Sequence, residues 1–389
     1  MDSSKKSIKI LIAINHSFSA NFIKGQGRYL REKGHEVVIV SGPGPEVDDL
    51  EIHEKIKVIR HPFSREISLF RDLKSLWAVI KIVWKEKPDI INAGNPKTGF
   101  LFSLAHLFFW KTPVIFTLRG LRSDTLTGFK KRIVRLTEKI SCLLANRVIV
   151  ISPSLKDHVV SIGIVKEAKC VVLGKGSSNG IDVEYFKQNP LSTDQGKEIL
   201  RKHQIPPDST KIIFVGRVTR DKGIGELIDA FEELKSSALS LSLIIAGPIE
   251  KDDPLSDHYY QKLKENPQIF YIGKQRDVRP VYSIADILVL FSHREGFGNV
   301  VIEAASMGVP AIVADIPGLR DTIEDNITGF HVPANDTKAL VKTIRFYIDH
   351  PEVAQQHSVN GIKRIHANFT NEAIWEGQLS LYKSLVDYD

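Results

Sequence analysis

FSHREGFGNVVIEAASMGVP, residues 291–310, leads from the apolar run ILVLF (287–291) through a turn bearing Gly296 and Gly298 into an alanine-rich helix that begins near Asn299. Strand, glycine turn and helix are the repeating step of a parallel α/β sheet. The first turn of such a helix offers backbone N–H groups without an internal partner and the positive end of the helix dipole. Gly298 and Asn299 can therefore meet an anion such as a phosphate. Glu295 precedes that point and Glu303 follows it, one carboxylate on each side of a bound molecule.

Outward from this stretch, β-branched runs alternate with amphipathic helical segments along the whole chain. In the first half, strands are expected at 8–14, 36–41, 56–60, 89–92, 113–117, 147–151 and 170–173. In the second they are expected at 211–215, 241–246, 269–272, 287–290 and 311–314. The repeat predicts an α/β chain of two similarly wound domains with parallel sheets, facing across a cleft. A length of 389 residues suits two domains better than one core. The segment from Asp182 to Ser209, with Pro190, Pro206 and Pro207, reads as the connection between them. The expected division is 1–190 for the first domain and 191–370 for the second. A closing helix around Trp375 and Tyr382, about 371–389, is expected to pack back on the first.

Composition places the chain among soluble globular proteins, with 42% apolar and 25% charged residues. Two cysteines, Cys142 and Cys170, provide no disulfide framework, which suits a reducing cytoplasm. The start MDSSKKSIKILIAI lacks the form of a signal peptide, and no apolar run has the length of a membrane span. The net charge of +7 conceals an asymmetry: residues 1–190 carry 31 Lys and Arg against 18 Asp and Glu, and the remainder is acidic. A basic first half favours an anionic partner, whether a phospholipid surface, a diphosphate-bearing substrate or a nucleic acid. Nucleic acid is disfavoured, because the basic residues are not interleaved with aromatics and no nucleic-acid motif is present.

After the run KIIFV, the sequence GRVTRDKGI places Arg217 two residues beyond a strand and Lys222 five further on. Arg offers a planar donor fork and Lys a mobile point charge, so the pair can clamp a diphosphate. Gly216, Arg217, Lys222-Gly223, Ala246-Gly247, Tyr271-Ile272-Gly273, Ala285-Asp286, Glu295-Gly296-Phe297-Gly298, Glu303-Ala304, Gly308-Val309-Pro310 and Gly329-Phe330 then follow in order. This series resembles the retaining nucleotide-sugar glycosyltransferases of family 4, which have the GT-B fold of two Rossmann-like domains. The likeness spans essentially the whole chain and is strongest from 211 to 335. It implies that Arg217 and Lys222 hold the donor diphosphate and that Glu295 lies by the donor sugar, the three forming the catalytic group. It implies that Glu303 bonds the ribose hydroxyls, with Gly273 and Val278 by the base. Gly216, Gly247, Gly296, Phe297, Gly298, Asn299 and Val300 complete the donor site. The resemblance also implies that neither a cofactor nor a metal is needed; the one Asp-x-Asp pair, Asp387 with Asp389, is terminal.

In the first half, Gly174-Lys175-Gly176-Ser177-Ser178-Asn179-Gly180-Ile181-Asp182 is a glycine-rich loop able to turn sharply and present amides to an oxyanion. It resembles the GSSNGID stretch of the capsule and protein-glycosylation branch, whose members act on sugars linked to polyprenyl diphosphate. Asn179 is accordingly placed on the acceptor side, although the loop also serves as the interdomain turn. Where many family 4 enzymes have a histidine, this chain has Arg119, followed by Gly120. No catalytic histidine is carried over, and Arg119 is expected to bind phosphate or orient the acceptor. His16, after the first strand, is a third candidate on that side.

Two segments bear on a membrane. The run 100–110, FLFSLAHLFFW, is too short to span and favours a core helix. The segment 129–147, FKKRIVRLTEKISCLLANR, gathers Lys130, Lys131, Arg132 and Arg135 at one end of an amphipathic helix, and fits either a membrane surface or a core. The expected activity is transfer of a hexose or N-acetylhexosamine from a UDP-sugar to a polyprenyl-diphosphate-linked saccharide. The expected location is the cytoplasm, peripherally at the inner face of the plasma membrane on an anionic lipid surface. Three other readings of the site stay open: a hydrolase carboxylate pair, which leaves Arg217 and Lys222 without a task, a GT-B sugar-nucleotide epimerase, and a non-catalytic nucleotide-sugar binder.

Overall fold

A computed structural model describes residues 7–64, 68–235, 240–250 and 253–386. The terminal pair Asp387 and Asp389 lies outside the described residues. The chain divides into two units, Met1–Gly180 with Asn371–Asp389, and Ile181–Thr370. The division falls after Gly180 rather than at 190.

The first unit is built on seven parallel strands: β1 Lys9–Ala13, β2 Glu36–Ser41, β3 Lys57–Arg60, β4 Ile90–Ala93, β5 Val114–Leu118, β6 Arg147–Val150 and β7 Cys170–Val171. Their order is β3-β2-β1-β4-β5-β6-β7. Both sheet faces are covered, and β1 shows why the strands read as unbroken apolar runs. Ile10 and Ile12 enter one core, whereas Leu11 and Ala13, pointing the other way, enter a second. The first core receives Ile374, Leu379 and Tyr382 from the closing helix Asn371–Val386. The second receives Val79 and Val83 from helix Leu69–Glu86, and Leu101 and Phe102 from helix Pro96–Ala105.

The second unit holds six parallel strands: β8 Thr210–Val215, β9 Leu241–Ala246, β10 Ile269–Gly273, β11 Ile287–Leu290, β12 Ala311–Ala314 and β13 Gly329–Val332. Their order is β10-β9-β8-β11-β12-β13. Both sheets thus have the doubly wound arrangement in which strand order reverses beside the first strand. Two features escaped sequence reading. The glycine-led strand β13 was legible only as a motif, because its burial alternates too little to register over four residues. Within 182–209, read as connection, Pro190–Lys202 forms a helix. Asn189 caps it, its Oδ1 accepting from the Ser192 amide at 2.9 Å, and Pro190 occupies the first turn, where a missing N–H costs nothing.

Helix 96–105 ends earlier than the run 100–110 suggests. Leu101, Phe102 and Ala105 are buried, but Leu107, Phe108 and Trp110 beyond the helix are exposed. No helix among the described residues is long and apolar enough to cross a membrane.

The closing helix is fastened by polar groups inside the first core. The Tyr382 hydroxyl accepts from Asn92 Nδ2 at 2.7 Å and from Gln378, while Thr117 donates to Asn92 Oδ1 at 2.7 Å. Tyr382→Phe keeps the ring but strands two buried amides, and is expected to lower stability by about 1–3 kcal/mol. A urea unfolding midpoint unchanged by the substitution would contradict this account of the helix.

Candidate active site

In the second unit, order reverses between the neighbours β8 and β11, and the loops leaving their carboxyl ends meet at the position where such sheets form their ligand crevice. The first loop carries Gly216, Arg217 and Lys222; the second carries Glu295, Gly296, Phe297 and Gly298. Their junction is very tight. Gly223 has φ +67°, and a Cβ there would fall 2.0 Å from the carbonyl oxygen of Phe291. Any side chain would force the loops apart. The His293 amide also donates to the Asp221 carbonyl at 2.9 Å.

This junction brings the charged candidates together. Lys222 Nζ forms an ion pair with Glu295 Oε1, and Ser292 Oγ donates to the same oxygen at 3.2 Å. Both members are mostly buried, their side chains 12% and 16% exposed, so the pair is more strongly coupled than a surface one. Arg217 donates to Glu250 Oε2 at 2.9 Å and lies 3.8 Å from Asp221. Burial is the largest single influence on Arg217 and disfavours its charge, but the Glu250 carboxylate, with Asp221 and Glu295, outweighs it and raises the guanidinium above its ordinary pKa. Both cations are held in place by carboxylates with which an incoming anion would compete.

Glu303 is tied to the other side. It lies in helix Asn299–Ser306, and its Oε2 accepts from the Tyr282 hydroxyl at 3.0 Å. Tyr282 closes the short helix Arg279–Tyr282 that follows β10. Thus Glu295 belongs to the β8 side of the crevice and Glu303 to the β10 side, although only eight residues separate them. Burial pushes the Glu303 carboxyl up to about 7, against the opposing effect of the Tyr282 hydrogen bond.

The remaining donor-side candidates are backbone features. The Gly216 amide donates to Ala246 O and the Gly247 amide to Gly273 O, each at 2.9 Å, and a Cβ on Gly247 would lie 1.6 Å from Gly216 O. These glycines let the ends of β8, β9 and β10 close against one another. Val278 precedes the 279–282 helix and is half-buried. Gly296 and Val300 are half-buried in the loop and the helix start. The Asn299 amide donates to Phe297 O at 3.0 Å, so it is committed to the turn rather than open to an anion. Phe297 is buried against Phe369, ring centroids 5.7 Å apart, and acts in packing.

In the first unit, Arg119 extends from the end of β5 over the Phe22 ring. Its Nε donates to Ser178 Oγ at 2.5 Å, and another nitrogen donates to the Gly94 carbonyl. Burial lowers its pKa to about 10, leaving a cation bonded to neutral groups. His16 begins the Ser17–Phe22 turn after β1, its carbonyl accepting from the Ser19 amide at 2.9 Å. Asn179 is otherwise employed. Its Nδ2 donates to Lys24 O at 2.9 Å and its Oδ1 accepts from Trp375 Nε1 at 2.7 Å, which fastens the closing helix and leaves the side chain spent.

Sequence reading missed Tyr282, Ser292 and Glu250. Ser292 immediately follows an expected strand and Glu250 lies three residues beyond Gly247, so position offered a signal for both. Tyr282 had none, since only folding reveals what faces Glu303. Among the described residues no group of three His, Cys, Asp or Glu side chains is placed to hold a metal ion.

The family model described as glycosyl transferases group 1 matches residues 195–364, and that of a glycosyl transferase 4-like domain matches 19–176. The chain is 37% identical over 382 residues to the capsular polysaccharide biosynthesis glycosyltransferase CapM of Staphylococcus aureus, covering 98% of each protein. It is 25% identical over 314 residues to the UDP-Gal:alpha-D-GlcNAc-diphosphoundecaprenol alpha-1,3-galactosyltransferase of Escherichia coli, covering 79% of this chain and 78% of that one. The fold matches that of Anabaena HepE, solved with UDP-glucose, at a TM-score of 0.79 and 16% identity, over 97% of this chain and all of the other.

The raised Glu303 pKa gives stability a pH dependence with a definite sign. The folded carboxyl binds its proton up to about pH 7, whereas an ordinary one releases it near 4.5. The stability due to the proton is full below pH 4.5 and is lost as pH rises to about 7. Glu303→Gln, which imitates the protonated form, is expected to exceed wild type in stability at pH 8 by at most about 3 kcal/mol and to match it at pH 4.5. Urea titrations at the two pH values read the difference.

Proposed function

The chain belongs to the group 1 glycosyltransferases, and on that premise we propose that it moves a hexose or N-acetylhexosamine from a UDP-sugar to a polyprenyl-diphosphate-linked saccharide, with retention at the anomeric carbon, in assembly of a surface polysaccharide such as a capsule. The capsular role of the Staphylococcus relative, the diphosphoundecaprenol acceptor of the Escherichia relative and UDP-glucose in the Anabaena structure support this choice of pathway, acceptor and donor. The observation that carries it is the meeting of Arg217, Lys222 and Glu295 at the β8–β11 junction while Glu303 is tied to the β10 side.

In the proposed reaction the bond from the anomeric carbon to the β-phosphate oxygen breaks. An acceptor hydroxyl oxygen forms the new bond and passes its proton to the departing β-phosphate oxygen, and UDP leaves. Negative charge grows on the departing diphosphate, and Arg217 and Lys222 stabilise it. Lys222 passes from Glu295 toward the phosphates, which frees Glu295 to hydrogen-bond the donor sugar. The two cations meet the diphosphate directly, so the mechanism requires neither a metal nor a resident cofactor. Glu303 accepts from the ribose hydroxyls in its ionised form, and donor affinity therefore weakens as pH falls below about 7. On the first unit, Arg119 and His16 face the acceptor, the guanidinium suiting its phosphate. Such an acceptor places the enzyme peripherally at the inner face of the membrane.

Arg217→Ala and Lys222→Ala are each expected to lower kcat by about 10²–10³, as loss of a transition-state charge partner does. Glu303→Gln should instead weaken UDP binding and flatten its pH dependence between 6 and 8, read by calorimetric titration. Full transfer by folded Arg217→Ala protein, a β-linked product from an α-donor, or epimerisation of the UDP-sugar without acceptor would each overturn the reading.

A further inference from the structure

The first unit bears an outward face whose chemistry the proposed reaction does not use. In helix Leu69–Glu86, one side enters the core through Val79 and Val83. The opposite side is also apolar. Phe70, Trp77 and Trp84 are 86%, 60% and 70% exposed. Their seven-residue spacing is two helical turns to within about 20°, so they form one stripe along the helix. Leu73 lies on the same stripe.

This helix packs against Pro96–Ala105, which packs in turn against helix Gly128–Leu144. The third helix repeats the device: Phe129, Leu136 and Leu143, again seven apart, are exposed at 75%, 58% and 61%. Between the stripes lie Leu107, Phe108 and Trp110, also exposed. Trp84, Phe109 and Lys111 border a single depression, which joins the first stripe to this segment. Of the twelve exposed large apolar side chains described in this unit, ten lie on these three segments, a concentration beyond scattered surface residues.

The charges on this layer are sorted by sign. Its acids turn inward: Asp72 to Lys97 at 2.6 Å, Glu86 to Lys57 at 2.7 Å, and Glu138 to the Arg122 amide at 2.7 Å. Exposed among the stripes are Lys74, Lys81, Lys85, Lys130 and Arg132. Lys81 lies over the Trp77 ring at 5.5 Å and Lys111 over Trp110 at 5.3 Å, ammonium groups at the edge of apolar rings. Aromatic and aliphatic stripes fringed mainly with cations, Asp89 at the depression apart, are the complement of an anionic lipid interface: rings enter the headgroup boundary and lysines meet the phosphates. Another copy of this face would be repelled by its like charge.

We propose that the outer face of helices 69–86 and 128–144, with the 107–110 segment between them, is the surface by which this enzyme docks on anionic phospholipid. The interaction is carried by apolar insertion as well as by the basic cluster at 130–135. The inference deepens the proposed reaction by naming the surface that would reach a lipid-linked acceptor, and its test involves no sugar chemistry, so the two can fail separately.

Tryptophan fluorescence reads the docking directly, because Trp77, Trp84 and Trp110 are on this face and the remaining tryptophan, Trp375, is buried. Vesicles of phosphatidylcholine with phosphatidylglycerol are expected to shift emission to the blue and to sediment the full-length protein; pure phosphatidylcholine should do so far less. Trp77→Ser combined with Trp84→Ser should lower the partition coefficient at least about tenfold, with a circular dichroism spectrum like that of wild type. Ile52→Ser, on the helix that packs against the opposite sheet face, should leave partition unchanged. Wild-type protein that stays in the supernatant without a shift, or a folded double variant that binds undiminished, overturns the proposal. So does a dimer in solution that the same two substitutions dissolve, since the face would then be an interface between copies.

Discussion

The approach of the loop after β8 to the end of β11 is the contact on which the candidate site depends. A carbonyl oxygen 2.0 Å from where a Cβ would stand leaves Gly223 no substitute. That closeness brings Lys222 and Glu295 into one ion pair although 73 residues separate them. The doubly wound sheet makes the approach possible, because only at the reversal of strand order do two such loops leave neighbouring strands in opposite directions.

Charge balance follows from this geometry. Arg217 and Lys222 would be costly to bury alone, and Glu295, Glu250 and Asp221 offset their charge and hold them in place. Glu303 shows the opposite strategy: a carboxylate deep beside Tyr282, without a cation in contact, has its pKa raised toward neutrality. The site therefore holds one acid bonded to a cation and another raised by burial. This division suits a ligand with a diphosphate at one end and hydroxyl donors at the other.

The first unit solves a different problem. Helix 69–86 is apolar on opposite sides, one packed on the sheet and the other turned outward with lysines. A hydrophobic run such as 100–110 consequently divides between core and surface at Ala105, where the helix ends. Asn179 illustrates the same point for a polar residue: a glycine-rich loop with oxyanion-binding potential uses its asparagine to hold Trp375.

Local chemistry was sufficient to establish the α/β alternation, nearly every strand and the placement of Arg217 and Lys222 after β8 and of Glu295 and Glu303 after β11. Each of these rests on residues within a few positions of one another, such as a β-branched run, a glycine turn or cations after a strand. The amino-acid sequence could not show that Glu303 faces Tyr282, that Arg217 is held by Glu250, that Asn179 is spent on the closing helix, or that Phe70, Trp77 and Trp84 point away from the core. Periodicity marks a stripe as apolar but carries no sign for inward or outward. That choice is made by which neighbours pack on the other side, and only the tertiary structure supplies them.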